Sequence, residues 1–286
     1  MSMIQKIRNA VTGGDWFVAY RSENDGKWRP AGAPENQWCA DPFIFEDHGE
    51  HYIFVEQYLK EKDKGCIGYF QFEDGKPVNK GIIIENSYHM SYPDVFRYGN
   101  EYYMIPESSA NNTVDLYRAD RFPDRWEKAG TLISGKKYVD STVFRDGDQW
   151  YLISYTMTGG YELHVFSLDV EKREVTLLSR KRYDQNTGRP GGRLFEENGR
   201  LMRPAQDCSR KYGEALIICQ VDALNQDGEY LEHEVRRIRA EDLKMDNGPE
   251  RLHQLTRDGM YSAADVYKER FDPLHFVRIL IRSHRK

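Results

Sequence analysis

The chain is poor in the features that define several common functional classes. No apolar run is long enough to span a membrane, and Met1 to Thr12 carries Lys6 and Arg8 but lacks the apolar core of a signal peptide. A cytoplasmic location is the expectation. There are only four cysteines, Cys39, Cys66, Cys208 and Cys219, with no C-x-x-C pair and no histidine at ligand spacing. That excludes a disulfide framework or zinc module and leaves buried reduced thiols. The 41 basic and 46 acidic residues are well mixed and sum to a net charge of -5, so no basic stripe exists to follow a nucleic acid backbone. The locally basic run from Glu232 to Arg239 alternates in sign, as a solvated strand edge does. No calcium-loop motif is present, so no cofactor is expected; a calcium ion held among acids and carbonyls in a channel would have a structural role.

What the chain does have is aromatic residues, 19 Tyr, 13 Phe and 5 Trp, and a repeat. Strand formers dominate, and a length of 286 residues suits a single all-β unit. The segment Ala40-Asp-Pro-Phe-Ile-Phe45, a turn through Gly49 and the run His51 to Glu56 form one hairpin unit. Tyr92 to Phe96 with Glu101 to Glu107, Asp140 to Phe144 with Gln149 to Ser154, and Gly191 to Phe195 with Leu201 to Arg203 repeat it. Ala263 to Tyr267 with His275 to Ile281 makes a fifth copy. Each is an aromatic-ended strand, a short turn and a second strand, followed by further strand-like runs. Repeats of this period and content predict a five-bladed β-propeller.

The blades are expected near residues 38–85, 86–135, 136–185, 186–256 and 257–286, within one domain spanning 1–286. The last repeat is short of strands, and Trp16 to Arg21 precedes the first repeat without one of its own. The N-terminal strand is therefore expected to complete the last blade and close the ring. A two-sheet sandwich of the same hairpins would explain the strands but not the repeat.

In a propeller the innermost strands surround a channel, and their leading ends gather at one mouth. The leading positions read Asp41, Tyr92, Asp140, Gly191 and Ala263, and two residues later Phe43, Asp94, Thr142, Arg193 and Asp265. Asp41, Asp94, Asp140, Asp265 and Arg193 would thus converge, which is costly without a compensating partner and so points to a site. The competing account is that each aspartate caps the turn entering its own blade. Glu56 and Glu107 end matching second strands; they are either site acids or partners of Arg193 or Arg203. The fourth repeat supplies Arg189, Arg193, Arg203, Gln206 and Asp207, groups that suit hydroxyls, carboxylates or phosphates. Trp38, Tyr92 and Tyr212 could stack on a sugar ring or simply belong to the core.

These motifs resemble two groups. Ala40-Asp41-Pro42-Phe43 is similar to the first-blade segment of the five-bladed glycosidases of the arabinanase, β-xylosidase and invertase type. That resemblance implies a catalytic base or nucleophile at Asp41, a tuning acid in blade two and a general acid in blade three. Blade two has Tyr92 at the expected place, with Asp94 two residues on. Asp140 stands where a glutamate acid belongs, and Glu107 is its rival. The second resemblance covers most of the chain. Asp41-Pro42-Phe43, His89-Met-Ser-Tyr-Pro-Asp94, Met104-Ile-Pro-Glu107, Phe122-Pro with Trp126, Arg203 with Gln206-Asp207, and Tyr212-Gly213 resemble the N-terminal propeller domain of plant glucosamine inositolphosphorylceramide transferases and bacterial stand-alone relatives. It implies a carbohydrate or glycolipid substrate and a glycosyltransferase partner, and the arginines of the fourth repeat allow that substrate to be anionic or carried on a phosphate. Two functions follow as expectations: cleavage or transfer of a glycosyl group by paired carboxylates, or non-catalytic glycan binding in support of a transferase.

Overall fold

The computed structural model describes residues 12–225 and 228–271. Five antiparallel sheets are arranged as the blades of a propeller. Blade one consists, from the axis outward, of Gln37–Asp47, Glu50–Leu59, Lys64–Glu73 and Lys76–Ile84. Blade two is Ser91–Tyr98, Glu101–Ser108, Thr113–Arg121 and Arg125–Ser134, and blade three is Val139–Asp146, Gln149–Thr156, Tyr161–Asp169 and Glu174–Tyr183. In blade four the inner strand is broken into Arg189–Pro190 and Phe195–Glu197, followed by Arg200–Asp207, Ala215–Leu224 and Tyr230–Ile238. The run from Glu232 lies on this outermost strand, as its alternation of charge suggested.

Closure of the ring uses more of the N-terminus than expected. Blade five is ordered Arg251–Arg257, Tyr261–Phe271, Thr12–Ser22 and Trp28–Pro30, so the N-terminal segment supplies its two outer strands. The innermost strand is Arg251–Arg257, read from sequence as the end of the fourth repeat. Ala263 to Tyr267 is the second strand, not the first, and the expected partner His275 to Ile281 lies outside the described residues.

Short turns between strands carry the positive φ that two-residue hairpin loops require: His48-Gly49 (50° and 84°), Asp74-Gly75 (49° and 73°) and Asn198-Gly199 (54° and 71°). The apolar core is divided among the seams between blades. Phe43, Phe54 and Ile67 of blade one meet Tyr92, Val95 and Met104 of blade two. Val18, Tyr20 and Ala263 of blade five meet Ile44, Ile53 and Phe70 of blade one, which seals the closing seam. Cys39, Cys66 and Cys219 are buried free thiols, and burial pushes Cys39 up to about 12, so it is inert. Among the described residues no helix is long and apolar enough to cross a membrane.

Candidate functional site

The first three inner strands each carry a bulge at the same place, between Ala40 and Phe43, Ser91 and Asp94, and Val139 and Thr142. The leading residue of each bulge is left-handed: Asp41 at φ 50°, Tyr92 at 47° and Asp140 at 51°. Aspartate accepts this conformation readily, tyrosine less so. The bulge turns the residue's N–H away from the ladder, and a carboxylate from the preceding blade accepts it. Asp265 Oδ2 accepts from Asp41 N at 2.9 Å, Asp41 Oδ2 from Tyr92 N at 3.1 Å, and Glu107 Oε2 from Asp140 N at 3.2 Å. The acids therefore do cap turns, each that of the next blade, and Asp265 in addition accepts Gln254 N at 2.9 Å in the bulge of its own blade.

The residues paired with the bulges bring the second row of acids to the same mouth. Ala40 pairs with Glu56 and Ser91 with Glu107. Glu56 is buried, its Oε1 has no hydrogen bond, and His89 Nε2 lies 3.3 Å away without an aligned bond. His89 Nδ1 accepts Gly65 N at 3.0 Å, which leaves its proton on Nε2, facing Glu56. Burial holds the His89 imidazole below its ordinary value, so it is neutral. Trp38 stacks on Tyr58 with ring centroids 4.3 Å apart, and Tyr58 is 6.2 Å from His89, making an aromatic wall beside Glu56.

Arg189 grips Asp140 in bidentate fashion, with Nη2 to Oδ1 at 3.1 Å and Nε on Oδ2; Gln206 Nε2 also donates to Oδ2, at 2.6 Å. Arg189 Nη2 reaches Glu107 Oε2 at 3.6 Å and the guanidinium lies 5.3 Å over the ring of Tyr212. Opposite stands a histidine that the sequence reading missed. His253 leads the inner strand of blade five, with Nδ1 2.6 Å from Asp265 and Nε2 3.6 Å from Asp41. Trp16 stacks on its ring at 4.1 Å and Tyr212 meets it edge-on at 4.9 Å. The signal was present: Leu252-His-Gln-Leu-Thr256 followed by Asp258-Gly259 has the same strand-and-turn grammar as the other repeats.

Crowded acids with few cations hold their protons. Burial pushes Asp41 up to about 7; His253 opposes this, while Asp265 and Asp140 add to it. Burial, then Asp140, pushes Glu107 up to about 8 against the pull of Arg189. Glu56 is held well above the carboxylate range by burial, then by Asp41 and Glu107. Burial alone would lower His253, but Asp265 and then Asp41 prevail and raise it.

Asp41, His253 and Asp265 present ligand atoms within 4.8 Å of one another. Two carboxylates and an imidazole do not provide the six to eight oxygens calcium takes. Backbone N–H groups occupy the carboxylates, Asp265 accepting Asp41 N and Gln254 N and Asp41 accepting Tyr92 N, while His253 Nδ1 stands 2.6 Å from Asp265 without an aligned hydrogen bond.

Other expected site residues lie elsewhere. Asp94 and Arg193 pair with each other: Arg193 Nε donates to Asp94 Oδ1 at 2.8 Å and Nη1 to Ile44 O at 2.8 Å, while Asp94 Oδ2 accepts Val143 N at 2.7 Å. They tie blades one to four together inside the ring. Tyr92 is fully buried; its hydroxyl is 2.9 Å from Thr142 Oγ1 and accepts Gly192 N at 2.9 Å, so it bridges the interior and has no face for a sugar. Arg203 is buried against Glu232, with Nε to Oε2 at 2.7 Å and Nη2 to Oε1 at 2.8 Å. Asp207 is bonded by Ser209 and Arg237. Neither Glu56 nor Glu107 pairs with Arg193 or Arg203. The central cluster is therefore Asp41, Glu56, Glu107, Asp140 and Asp265, with Arg189, Gln206 and His253.

Comparison with known proteins places this geometry. The family described as "Glucosamine inositolphosphorylceramide transferase 1, N-terminal" matches residues 12–265. Glucosamine inositolphosphorylceramide transferase 1 of Oryza sativa subsp. indica is 32% identical over 213 residues, covering 70% of this chain and 28% of that protein. The Arabidopsis thaliana protein of the same name is 31% identical over 238 residues, covering 78% and 30%. The chain thus spans under a third of the length of these curated relatives. Among solved structures, a β-xylosidase/α-arabinofuranosidase from a compost microbial metagenome, in complex with xylotriose and calcium-free, superimposes with a TM-score of 0.60 at 11% identity, covering 88% of this chain and 94% of that one. The RS223 β-xylosidase gives 0.59 at 12% identity, covering 82% and 92%. At such identities these two show the shared five-bladed architecture alone. The match across residues 12–265 goes further: the chain belongs to the glucosamine inositolphosphorylceramide transferase 1 N-terminal family.

Proposed function

We propose that the central mouth binds a glycan and cleaves or transfers a glycosyl group, with Glu107 as general acid and Asp41 as general base. The observation that carries this reading is the pair of neighbouring-blade acids raised into the neutral range, Asp41 to about 7 and Glu107 to about 8. Between those values Glu107 holds a proton and Asp41 does not. Glu107 would give its proton to the glycosidic oxygen as the bond to the anomeric carbon breaks. Asp41 would take the proton of the water or acceptor hydroxyl whose oxygen attacks that carbon. Arg189 and Gln206 occupy the oxygens of Asp140 as acceptors, so Asp140 is assigned to positioning and not to proton donation. The Trp38–Tyr58 stack and the Trp16, Tyr212 and His253 group would present walls for sugar rings. The names of the relatives support a setting in glycolipid glycosylation, beside a glycosyltransferase.

One observation favours binding without turnover. Tyr92 occupies the place of an acid in blade two, and Asp140 is neutralised by Arg189. The two readings separate on a panel of 4-nitrophenyl glycosides combined with a glycan array. Turnover that peaks between about pH 7 and 8 and vanishes in Asp41→Asn supports catalysis. Array binding with no turnover supports the binding module, and a protein inert in both assays refutes a glycan site.

A further inference from the structure

On the face that carries the acid cluster, a concave pocket of about 450 Å³ opens between blades two and three. Lys136, Lys137 and Arg180 line it together with Tyr138, Thr156 and Thr158. Among the described residues none of these three cations forms an ion pair or hydrogen bond with a carboxylate. The one acid in the wall, Glu162, is bonded by His164 Nε2 at 3.0 Å, a bond that holds its carboxyl below the ordinary value with help from the field of Arg180; His164 Nδ1 is 2.6 Å from the Tyr138 hydroxyl. Elsewhere Lys62 and Lys64 are matched with Glu85, and Arg118 with Glu101 and Glu127. Three cations against the single carboxylate of Glu162 around one concavity leave a net positive charge for an anion to complete.

The pocket is joined to the mouth by the chain itself. Residues 136–138 run directly into Val139 and Asp140, so Tyr138 lies within about 7 Å of Asp140 along the backbone. On the other wall Lys136 N donates to Asn112 O at 3.2 Å, three residues beyond Ser109, which donates to Glu107 Oε1 at 2.6 Å. Thr156 Oγ1 accepts Thr158 N at 3.2 Å, which leaves its own O–H to donate into the pocket.

We propose that this pocket is a phosphate subsite, holding a phosphate group attached to the sugar that lies over Glu107 and Asp140. A phosphate has enough oxygens to engage two ammonium groups, a guanidinium fork and a hydroxyl at once, whereas a carboxylate has only two. The volume suits a small polar group and not a folded partner. The sugar half of this inference rests on the glycan reading of the mouth; the phosphate half does not.

The test is calorimetric titration with glucose 1-phosphate, inorganic phosphate and glucose, on the unaltered chain and on the triple variant Lys136→Met, Lys137→Met, Arg180→Met. All three side chains are exposed, so folding should be preserved. Glucose 1-phosphate should bind tighter than glucose, weaken by about tenfold or more in the variant, and lose most of its salt dependence there. Equal affinity for glucose 1-phosphate in both proteins, or no preference for it over glucose, overturns the subsite. If neutral glycans bind nowhere while inorganic phosphate still needs the three cations, the glycan reading fails and the subsite stands. Sedimentation with phosphatidylcholine vesicles containing phosphatidylinositol distinguishes the source. Co-sedimentation that depends on the three cations assigns the phosphate to a lipid headgroup, and its absence alongside glucose 1-phosphate binding assigns it to a soluble sugar phosphate.

Discussion

Replacing Glu107 by Gln should change how the fold responds to pH more than how it looks. The amide oxygen of Gln keeps an acceptor for Asp140 N and its NH2 can donate to Ser109 Oγ, but the amide has no charge to hide. In the native chain the carboxyl moves from an unfolded value of 4.5 to about 8 on folding. Its folded value is raised, so the associated stability is fully present below pH 4.5 and is lost as pH rises through 8. Each factor of ten in proton affinity is worth about 1.4 kcal/mol. Raising pH from 5.5 to 8.5 should therefore cost the native chain about 3 kcal/mol that Glu107→Gln does not lose, an upper figure because Asp41 and Glu56 relax together with Glu107. For a chain of this size that is a difference of roughly 6 to 12 °C in how far Tm falls between the two pH values. Thermal unfolding followed by circular dichroism at pH 5.5, 7.0 and 8.5 measures it. Parallel Tm profiles for the two proteins would refute the claim that Glu107 is held protonated by its surroundings.

Three further outcomes follow from specific contacts. Arg203→Met leaves Glu232 buried without its main counter-charge and should cost about 3–5 kcal/mol in denaturant unfolding, whereas ligand binding by the folded fraction should be unchanged. Tyr92→Phe removes the acceptor of Gly192 N and the partner of Thr142, and should destabilise the ring by about 1–3 kcal/mol in the same assay. Ser109→Ala deletes a hydrogen bond that stabilises ionised Glu107, so the alkaline limb of a pH–activity or pH–binding profile should move upward; a downward move would contradict the assignment.

The ring itself was legible because three repeats carry the same bulge, and a bulge keeps the spacing of Asp41, Tyr92 and Asp140 from their closing aromatics. Legibility failed where the inner strand loses that pattern. Gly191 and Gly192 stand between the two halves of blade four's inner strand, and a Cβ on Gly192 would lie 2.2 Å from Leu255 O, so this strand gives way to a close backbone approach. The inner strand of blade five ends in Thr256-Arg257 with no aromatic to mark it, and its outer partners come from the opposite end of the chain. The register therefore slipped by one strand and hid His253. Arg203 and Asp207 stand in the fourth repeat beside Arg189, Arg193 and Gln206, among groups that suit hydroxyls, carboxylates or phosphates, and sequence alone does not part them from the site. Their partners Glu232 and Arg237 sit on the outermost strand of the same blade, and no local spacing announces a pair formed across a sheet.

The inter-blade caps also explain why Glu107, from a second strand, stands beside Asp140. A left-handed residue at the head of an inner strand points its N–H where no neighbouring strand can accept it, and a buried N–H must find an acceptor. At the seam from one to two Asp41, itself a leading residue, provides it, and from five to one Asp265 provides it from the second strand of its blade. From two to three the leading residue is Tyr92, which has no carboxylate and sends its hydroxyl across to Thr142 and Gly192. Here too the acceptor comes from the second strand, and Glu107 fills the place. One Glu107 oxygen is thereby fixed by the fold, while the other is held only by Ser109. Glu56 has no such cap to make, and its Oε1 remains without a hydrogen bond although buried. Closing the ring makes no use of it, and the polar group that faces it is His89 Nε2 at 3.3 Å.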